Sequence, residues 1–563
     1  MADSILFWNA VALEANRVSH SDPDKREQNG PALSARALAI VHLAMYDAYA
    51  GVENNAAKYP RYLPAATPLP MPGTSHRDAV AGAAYATLSE LYKAQEGYFD
   101  AQRACYDIKN GSYIFGEAVG RALLALRAND MDTRDCGYKF SNDRGRHRVD
   151  PDNPGQAFHA PYYGAQTYGF AISKRHGLKA PPFNNGTDQK YLRALRDVRA
   201  RGIRPDLPGT LPSSLFDNRR SGLETLTGIY WGYDGANRLG TPPRMYNQII
   251  RIVAMKKDNP AIGKINGEGE NARLFAFVNA AMADAGILAW EQKYCHDFWR
   301  PVVGIREHDE TLGPGAPYKS LNVDFNDGDP GWLPLGAPST NSPDRKNFTP
   351  NFPAYPSGHA TFGAAAFHMT RMFYGIAPND KKKDKLFKDQ FFVSDEFNGG
   401  NQDNDGTVRP RHTRYFPEGL WSMIIENATS RVYLGVHWIF DAFDFKVVNG
   451  NLEPDLADEK IGGVGLGLRI ARDIYLTGNK LAPKMTPFDP NHPAAPPIET
   501  PTPDSPMPAA PKQPATVQGC ADKDGAPKGK GKVQDVFPEG SEQGQVSTGG
   551  QVQSAYPSGI SQK

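Results

Sequence analysis

The longest apolar segment of the chain, residues 271–294, constrains the fold most strongly. Its apolar side chains recur three and four residues apart, which is the spacing of one face of an α-helix. The positions spaced for burial are Phe275, Phe277, Val278, Ala281, Ala285, Leu288 and Ala289. This pattern predicts one long helix that lies in the core.

Most of the other apolar segments have the same helical period. They are residues 34–52, 76–93, 116–127, 191–202, 244–257, 361–375, 420–435 and 463–477. Three segments rich in glycine, proline, asparagine or aspartate, residues 129–190, 307–351 and 394–417, are typical of long loops. Residues 1–32 show only an apolar triplet, Leu6 to Trp8, and a polar loop. Because no alternating strand pattern competes for the core, the predicted fold class is all-α, one large helical domain with long ordered loops.

The longest helix also suggests where to divide the chain. Residues 1–270 are interpreted as an N-terminal helical half with long loops, and residues 271–481 as a C-terminal helical half that contains the functional site. Residues 482–563 consist largely of proline, glycine, serine, glutamine and lysine, with few large apolar side chains. Such a segment cannot bury enough apolar surface to fold, so we predict a disordered tail.

Composition excludes several classes of function. The 563 residues contain 63 Lys+Arg and 62 Asp+Glu, a net charge of +1, so no nucleic-acid partner is expected. No run approaches 18 uninterrupted apolar residues, which predicts no membrane span, and no secretory signal is evident at the start. The four cysteines are too few and too scattered for a disulfide framework or a zinc site. They are Cys105, Cys136, Cys295 and Cys520.

Residues 352–360 form the first motif with chemical content. Two prolines lead into Ser357-Gly358-His359, and an apolar, alanine-rich helix follows. Ser357 is therefore predicted at the N-cap or first turn, where the backbone N–H groups of Gly358 and His359 lack intrahelical partners. A helix start of this kind attracts anions, and His359 adds a proton donor that works near neutral pH. Tyr-Pro-Ser-Gly recurs at residues 556–559 with no helix behind it, so those four letters alone carry little weight.

Two cations close the longest helix. Lys293 and Arg300 are seven residues apart, hence on nearly one face if the helix persists. Pro301 biases Arg300 away from helical backbone, so Arg300 is expected at the helix end or just past it. Taken alone, the two cations have a less favoured alternative, a solvated pair on a helix face.

A third segment, residues 430–441, contains two more candidates. His437 and Asp441 are four residues apart, so on a helix the carboxylate would accept a hydrogen bond from one ring nitrogen and leave the other free. Arg431 and His437 would point to different faces of a helix, and they converge only if the segment breaks, for which Gly435 is the predicted place. Alone, His437 reads more readily as a satisfied core histidine.

Together, the three segments indicate a pocket for a tetrahedral or trigonal oxyanion. Arginine pairs bind multi-oxygen anions through parallel hydrogen bonds, and lysine acts as a point charge. The ordered motifs are Lys293, six residues, Arg300-Pro301; Pro356-Ser357-Gly358-His359; and Ser430-Arg431, five residues, His437, three residues, Asp441. This signature resembles the vanadium-dependent haloperoxidases and the wider type 2 phosphatidic acid phosphatase superfamily. Similarity to the fungal vanadium chloroperoxidases extends over most of residues 1–480.

The resemblance implies a fold built on two four-helix bundles with vanadate, and no haem or flavin, as cofactor. It implies that His437 supplies the nitrogen ligand to the metal, that His359 is the acid–base group and that Lys293 polarises the peroxide. The side chains and amide implied to hold the vanadate oxygens are Lys293, Arg300, Ser357, Gly358 and Arg431. Asp234 is implied to pair with Arg431, as Asp441 pairs with His437, and Trp290 and Phe352 match the aromatic residues near the halide site.

The implied reaction is the oxidation of chloride or bromide by hydrogen peroxide to hypohalous acid, which halogenates small organic molecules. A monomer or small homo-oligomer is expected, and the resemblance leaves secretion open. One alternative is an acid phosphatase with His437 as nucleophile and His359 as acid, because phosphate and vanadate share geometry. Another is a non-catalytic helical protein that binds an oxyanion.

Overall fold

The computed structural model describes residues 3–64, 68–128, 130, 138–156, 160, 163–257, 263–314, 326–342 and 346–485. The described chain is mainly helical, which confirms the all-α fold class. The α-helices are α1 Ser4–Ser19, α2 Gly30–Glu53, α3 His76–Leu91, α4 Glu96–Arg103, α5 Gly111–Leu126, α6 Tyr163–Gln166, α7 Gln189–Arg201, α8 Ser213–Phe216, α9 Gly222–Tyr230, α10 Pro242–Ala254, α11 Glu268–His296, α12 Pro301–Arg306, α13 Gly358–Phe373, α14 Gly419–Tyr433 and α15 Gly462–Thr477. The strands are β1 Phe391–Phe392, β2 Arg414–Tyr415, β3 Asp444–Val448 and β4 Asn451–Asp455.

Helix α11 lies at the centre of the molecule, as its apolar period predicts. Its 29 residues are buried on nearly every face, and α2, α13 and α15 pack against it. By length and composition α11 could cross a membrane, but 94% of its most apolar 18-residue window is buried inside the protein. The helix is therefore enclosed by other helices of the same chain, which is how a core helix of a globular protein is placed.

The C-terminal helices α13, α14 and α15 pack around α11 and fix the start of α13. Ser357 caps α13, and its side chain accepts a hydrogen bond from the N–H of Ala360. Helix α15 approaches this start closely: a Cβ added at Gly463 would lie 2.5 Å from the carbonyl oxygen of Ser357. The absence of a side chain at Gly463 thus lets two helices meet at the cap.

The N-terminal helices α2, α3 and α5 pack on one another, and α2 joins them to α11. Helix α1 was not predicted, although it has a helical period with Ile5, Trp8 and Ala12 buried. Its N-cap is Asp3, whose carboxylate accepts from the N–H of Leu6 at 2.9 Å. The division into halves at residues 270/271 stays a prediction.

Two antiparallel strand pairs, β1–β2 and β3–β4, depart from the purely helical pattern predicted for the chain. The β3–β4 hairpin turns through Asn449 and Gly450, both with positive φ, and this dipeptide is a recognised hairpin signal. Both sheets are small, and each buries one phenylalanine, Phe392 on β1 and Phe445 on β3, in the helical core. Residues 486–563, which hold most of the predicted disordered tail, are outside the described residues.

The chain breaks just after α14, as predicted. Gly435 has φ +73°, and a Cβ added there would lie 2.5 Å from the carbonyl oxygen of Gly202 and 2.9 Å from the side chain of Pro334. Both the left-handed backbone and the close approach require glycine. This break separates α14, which carries Arg431, from the turn that carries His437.

We expect Gly435→Ala to destabilise the fold by about 3 kcal/mol, because a left-handed residue and an overpacked contact add their costs. Gly375→Ala is the matched control, since Gly375 also follows a helix with φ +86° but has open space around the added Cβ. In the control variant, the free energy of unfolding should fall by only about 1 kcal/mol. The midpoint of thermal unfolding measures both variants. Equal shifts in the midpoint would show that the contact with Gly202 is unimportant.

Candidate active site

Lys293 lies in the last turn of α11 and is completely buried. Its Nζ donates to three backbone carbonyl oxygens of the following loop, those of Pro353 at 2.9 Å, Ala354 at 3.1 Å and Pro356 at 2.6 Å. Three acceptors match the three hydrogens of an ammonium group. Lys293 thus ties the end of α11 to the loop that leads into Ser357.

Arg300 follows the end of α11 rather than continuing it. The helix ends at His296, Asp297 adopts φ +48°, and Arg300 is extended at the start of α12. Its Nε donates to the carbonyl of Phe352 at 2.9 Å, and its Nη1 lies 2.8 Å from the carbonyl of Val436. Lys293 and Arg300 therefore do not share one face of a continuous helix, which was one prediction. The other prediction, that Arg300 lies at the helix end or just past it, is confirmed.

The start of α13 presents Ser357, Gly358 and His359 to the same region. The first N–H groups of the helix have no carbonyl of their own helix to donate to, so Gly358 and His359 offer backbone donors. Nε2 of His359 lies 3.2 Å from the carbonyl oxygen of Trp231. Because a carbonyl only accepts, Nε2 carries the hydrogen and Nδ1 holds the free lone pair.

Arg431, on α14, forms a bidentate ion pair with Asp234. Its Nη1 and Nη2 lie 2.9 and 2.8 Å from the two carboxylate oxygens. The pair is buried, with 1% and 8% of the two side chains exposed. Two parallel hydrogen bonds fix the plane of the guanidinium group, and its Nε takes no part in this ion pair.

His437 and Asp441 are joined, although not on an α-helix as assumed from the sequence. The turn after Gly435 leads into a single 3-10 turn, Ile439–Asp441, and there Nδ1 of His437 lies 2.7 Å from Oδ2 of Asp441. That carboxylate also accepts from the N–H of Trp438 at 3.1 Å. With Nδ1 donating to the carboxylate, Nε2 carries no hydrogen, and its lone pair accepts from Nη1 of Arg300 at 2.9 Å.

Part of this cluster lines one pocket with about 460 Å³ of space free of protein atoms. The lining includes His437, His359, Arg431, Asp234 and Gly358, whereas Lys293, Arg300, Ser357 and Asp441 are not among the described residues that line it. Apolar side chains form the rest of the wall; those not among the predicted site residues are Pro31, Pro242, Phe348, Pro350 and Phe362. The pocket wall therefore combines charged and polar groups with apolar side chains.

Trp290 and Phe352 lie together beside the cations. Their ring centroids are 5.0 Å apart, and both rings line the pocket. Nζ of Lys293 lies 5.0 Å from the Phe352 ring centroid, and the guanidinium carbon of Arg300 lies 4.9 Å from it. The ring of Phe352 thus covers both cations and keeps them from water.

The pKa values of the site follow from burial among like charges. Burial, then the charges of Arg300 and Lys293, lowers the pKa of His437 well below its ordinary value. Burial, then the charge of Arg431, lowers the pKa of His359 to about 3. Burial also lowers the pKa of Arg300 to about 9 and that of Lys293 well below its usual range. Both histidines are therefore neutral near pH 7.

The two carboxylates respond in opposite ways. Burial raises the pKa of Asp441 to about 7, against the opposing effects of Lys293 and Arg300. Burial also acts to raise the pKa of Asp234, but Arg431 and then His359 outweigh it, and the net pKa lies below the ordinary value. Three cations thus share the site with two carboxylates, an imbalance that a bound anion would offset.

The donor set fits an oxyanion. Nη2 of Arg300 and Nε of Arg431 are buried and have no hydrogen-bond partner among the described residues. Unsatisfied buried donors of charged groups are costly, so such atoms mark a place where a ligand supplies acceptors. The described residues contain no cluster of three His, Cys, Asp or Glu side chains suited to a bare metal ion. A metal oxyanion held by one imidazole and several donors suits this chemistry better than a free cation.

Two family models match the chain. The model described as the vanadium chloroperoxidase N-terminal domain matches residues 2–167, and the model of the VCPO second helical-bundle domain matches residues 273–444. A vanadium chloroperoxidase of Curvularia inaequalis is 35% identical over 595 aligned positions, which cover 88% of this chain and 93% of that protein.

This chain belongs to the vanadium chloroperoxidase family.

Solved structures of vanadium haloperoxidases share the fold of this family member. A bacterial vanadium-dependent iodoperoxidase superposes with a TM-score of 0.55 at 17% identity, covering 86% of this chain and 98% of that one. A holo-type bacterial vanadium-dependent chloroperoxidase superposes with a TM-score of 0.52 at 14% identity, covering 83% and 96%. As a member of the vanadium chloroperoxidase family, the protein is a vanadium-dependent haloperoxidase, and the family implies hydrogen peroxide and halide as substrates and vanadate as cofactor.

Sequence reasoning missed several groups that shape this chloroperoxidase-family site. The carbonyls that hold Lys293, and the carbonyl of Trp231 that faces His359, leave no signal in residue type. Pro31 and Pro242 reach the pocket from the starts of α2 and α10. A proline at a helix start is a visible signal, but it marks the helix and not the pocket.

Asp234 should contribute strongly to stability. We expect Asp234→Ala to destabilise the fold by about 3 kcal/mol or more, because Arg431 would remain buried without its carboxylate. The contribution is fully present above pH 3.8, the ordinary pKa, and is lost as pH falls through the lowered pKa of Asp234. Thermal unfolding across pH measures it.

Asp206→Ala serves as the control, because Asp206 pairs with Arg204 at the surface and is 61% exposed. Exposed pairs contribute little, so this variant should unfold with the wild type. An Asp234→Ala protein as stable as the control would contradict the pairing described for Arg431.

Proposed function

We propose that the enzyme oxidises chloride and bromide with hydrogen peroxide to hypohalous acid, which then halogenates small organic molecules. The observation that supports this most is that two guanidinium nitrogens with no partner among the described residues lie close to an imidazole nitrogen that carries no hydrogen, beside one pocket. An anion bound there would gain both charge neutralisation and hydrogen bonds.

Vanadate binding is assigned to residues from the three motifs. Nε2 of His437 would supply the single nitrogen ligand, with Asp441 fixing the ring through Nδ1. The side chains of Arg300, Ser357 and Arg431 and the N–H of Gly358 would donate to the oxygens. Lys293, whose three hydrogens meet loop carbonyls, would act on the oxygens through its charge. Asp234 would hold Arg431 in position through its bidentate pair. When bound, vanadate supplies a Lewis acid that activates peroxide without changing its own oxidation state, so neither haem nor flavin is needed.

His359 is assigned the proton transfer. It is neutral because burial lowers its pKa, and its Nε2 hydrogen is held by the carbonyl of Trp231. Nδ1 is therefore the atom that takes a proton from hydrogen peroxide. Lys293 is assigned the role of polarising the peroxide with its positive charge, in a site where low solvent access strengthens that charge.

Halide is assigned to the pocket beside Trp290 and Phe352. These rings cover Lys293 and Arg300 from water, so a halide that enters meets desolvated positive charge. Chloride is harder to oxidise than bromide and depends more on such a field. Retention of both aromatic rings therefore supports chloride as a substrate alongside bromide.

Reconstitution tests this function. We expect protein purified without vanadium to halogenate a dye only after orthovanadate is added, with peroxide and either chloride or bromide.

His359→Ala should bind vanadate but halogenate at least about 100-fold more slowly, since general acid–base catalysis contributes that much. His437→Ala should lose vanadate affinity as well.

The control is His412→Gln, because His412 is partly exposed and lies outside the pocket. It should behave as the wild type. A protein that hydrolyses phosphate esters, is inhibited by vanadate and never halogenates would instead be the acid phosphatase with His437 as nucleophile.

A further inference from the structure

The carbonyl that faces His359 belongs to a short turn at the end of α9, residues 231–234, here named the 231–234 turn. Trp231 is the C-cap of α9, and its carbonyl oxygen accepts from the N–H of Tyr233 at 3.0 Å as well as facing Nε2 of His359 at 3.2 Å. Asp234, which pairs with Arg431, closes the turn. One turn therefore holds the partners of both His359 and Arg431.

The side chain of Trp231 fixes the same turn from its other side. Its indole Nε1 donates to Oε1 of Glu426 at 2.8 Å, and the indole is completely buried. Glu426 in turn accepts two hydrogen bonds from Arg414, at 2.5 and 2.9 Å. Since Glu426 is only partly buried, Arg414 keeps its carboxylate in one orientation next to solvent.

Glu426 and Arg431 both lie on α14, five residues apart. The 231–234 turn is thus attached to one rigid helix at two points, through the indole of Trp231 at one end and the carboxylate of Asp234 at the other. A turn held at both ends cannot shift its carbonyl without breaking one attachment. The attachment at Asp234 belongs to the oxyanion site, whereas the attachment at Glu426 has no contact with the pocket among its lining residues.

We propose that Glu426 and Trp231 are positioning residues for His359. The Glu426 carboxylate holds the indole, the indole holds the carbonyl of Trp231, and that carbonyl holds the hydrogen on Nε2 of His359. Nδ1 is then always the nitrogen with the lone pair, aimed at the same place. This inference rests on the proton transfer assigned to His359 under the proposed function.

Two substitutions remove the attachment from opposite ends. Trp231→Phe keeps an aromatic ring and the carbonyl but deletes the indole N–H, and Glu426→Leu deletes its acceptor. We expect each to lower kcat/KM for hydrogen peroxide by about tenfold or more, a usual effect of losing an outer partner of a catalytic group. The KM for bromide and the affinity for orthovanadate should stay unchanged, because the groups assigned to them are untouched.

Glu426→Gln is the matched rescue variant, since it keeps an oxygen acceptor for the indole while it removes the ion pair with Arg414. It should retain most of the wild-type kcat/KM for peroxide. Glu459→Leu removes another arginine-paired glutamate, one bonded to Arg472 away from the pocket, and should leave all three constants unchanged. A parallel loss of peroxide, bromide and vanadate constants in Glu426→Leu would mean general destabilisation and would overturn the proposal.

His359→Ala in the same assay distinguishes failure of the positioning role from failure of the proton transfer assigned to His359. If His359→Ala lowers kcat/KM for peroxide but Trp231→Phe and Glu426→Leu do not, the positioning role is wrong and the proton transfer stands. If His359→Ala itself leaves kcat/KM for peroxide at the wild-type value, the proton transfer assigned to His359 is wrong and the positioning role falls with it.

Discussion

Mutual repulsion among buried cations is the constraint on which this site depends. Lys293, Arg300 and Arg431 converge on a region closed to water, with only two carboxylates nearby. Backbone carbonyls and Asp234 satisfy part of their hydrogen-bonding capacity, and two guanidinium nitrogens have no partner in the part of the chain that the structure describes. Such an arrangement is expensive in the free protein and becomes favourable when a multiply charged anion binds. Under the proposed function, the neutral imidazole of His437 would then select an anion whose central atom accepts a nitrogen ligand.

The fold brings these groups together by ending helices at the right places. Helix α11 ends between Lys293 and Arg300, α13 begins at Ser357, and α14 ends before Gly435. Each charged group therefore sits at or near a helix terminus, where backbone donors and acceptors are unpaired. The loop carbonyls between residues 352 and 356 bind the cations, so the same polar backbone that a core would exclude becomes part of the site.

Much of this could be predicted from residue order alone. The helical period identified the core helix, and the Ser-Gly-His motif located the cap of α13 because capping is a local property. Gly435 was identified because Arg431 and His437 could not otherwise meet. Other features were beyond reach: the carbonyl facing His359 and the indole–Glu426 bond depend on tertiary packing, which residue type does not encode. The His437–Asp441 pair was predicted on the wrong backbone, since His437 lies just before the N-cap of a 3-10 turn and meets the carboxylate of Asp441 at the end of that turn.

The most direct test is a crystal structure of the protein soaked with orthovanadate. The account predicts one vanadium atom bonded to Nε2 of His437, with Arg300, Arg431 and the N–H of Gly358 hydrogen-bonded to its oxygens and His359 left unligated. Vanadium bonded to His359 instead, or bound away from the pocket that His437, Arg431 and Gly358 line, would contradict it.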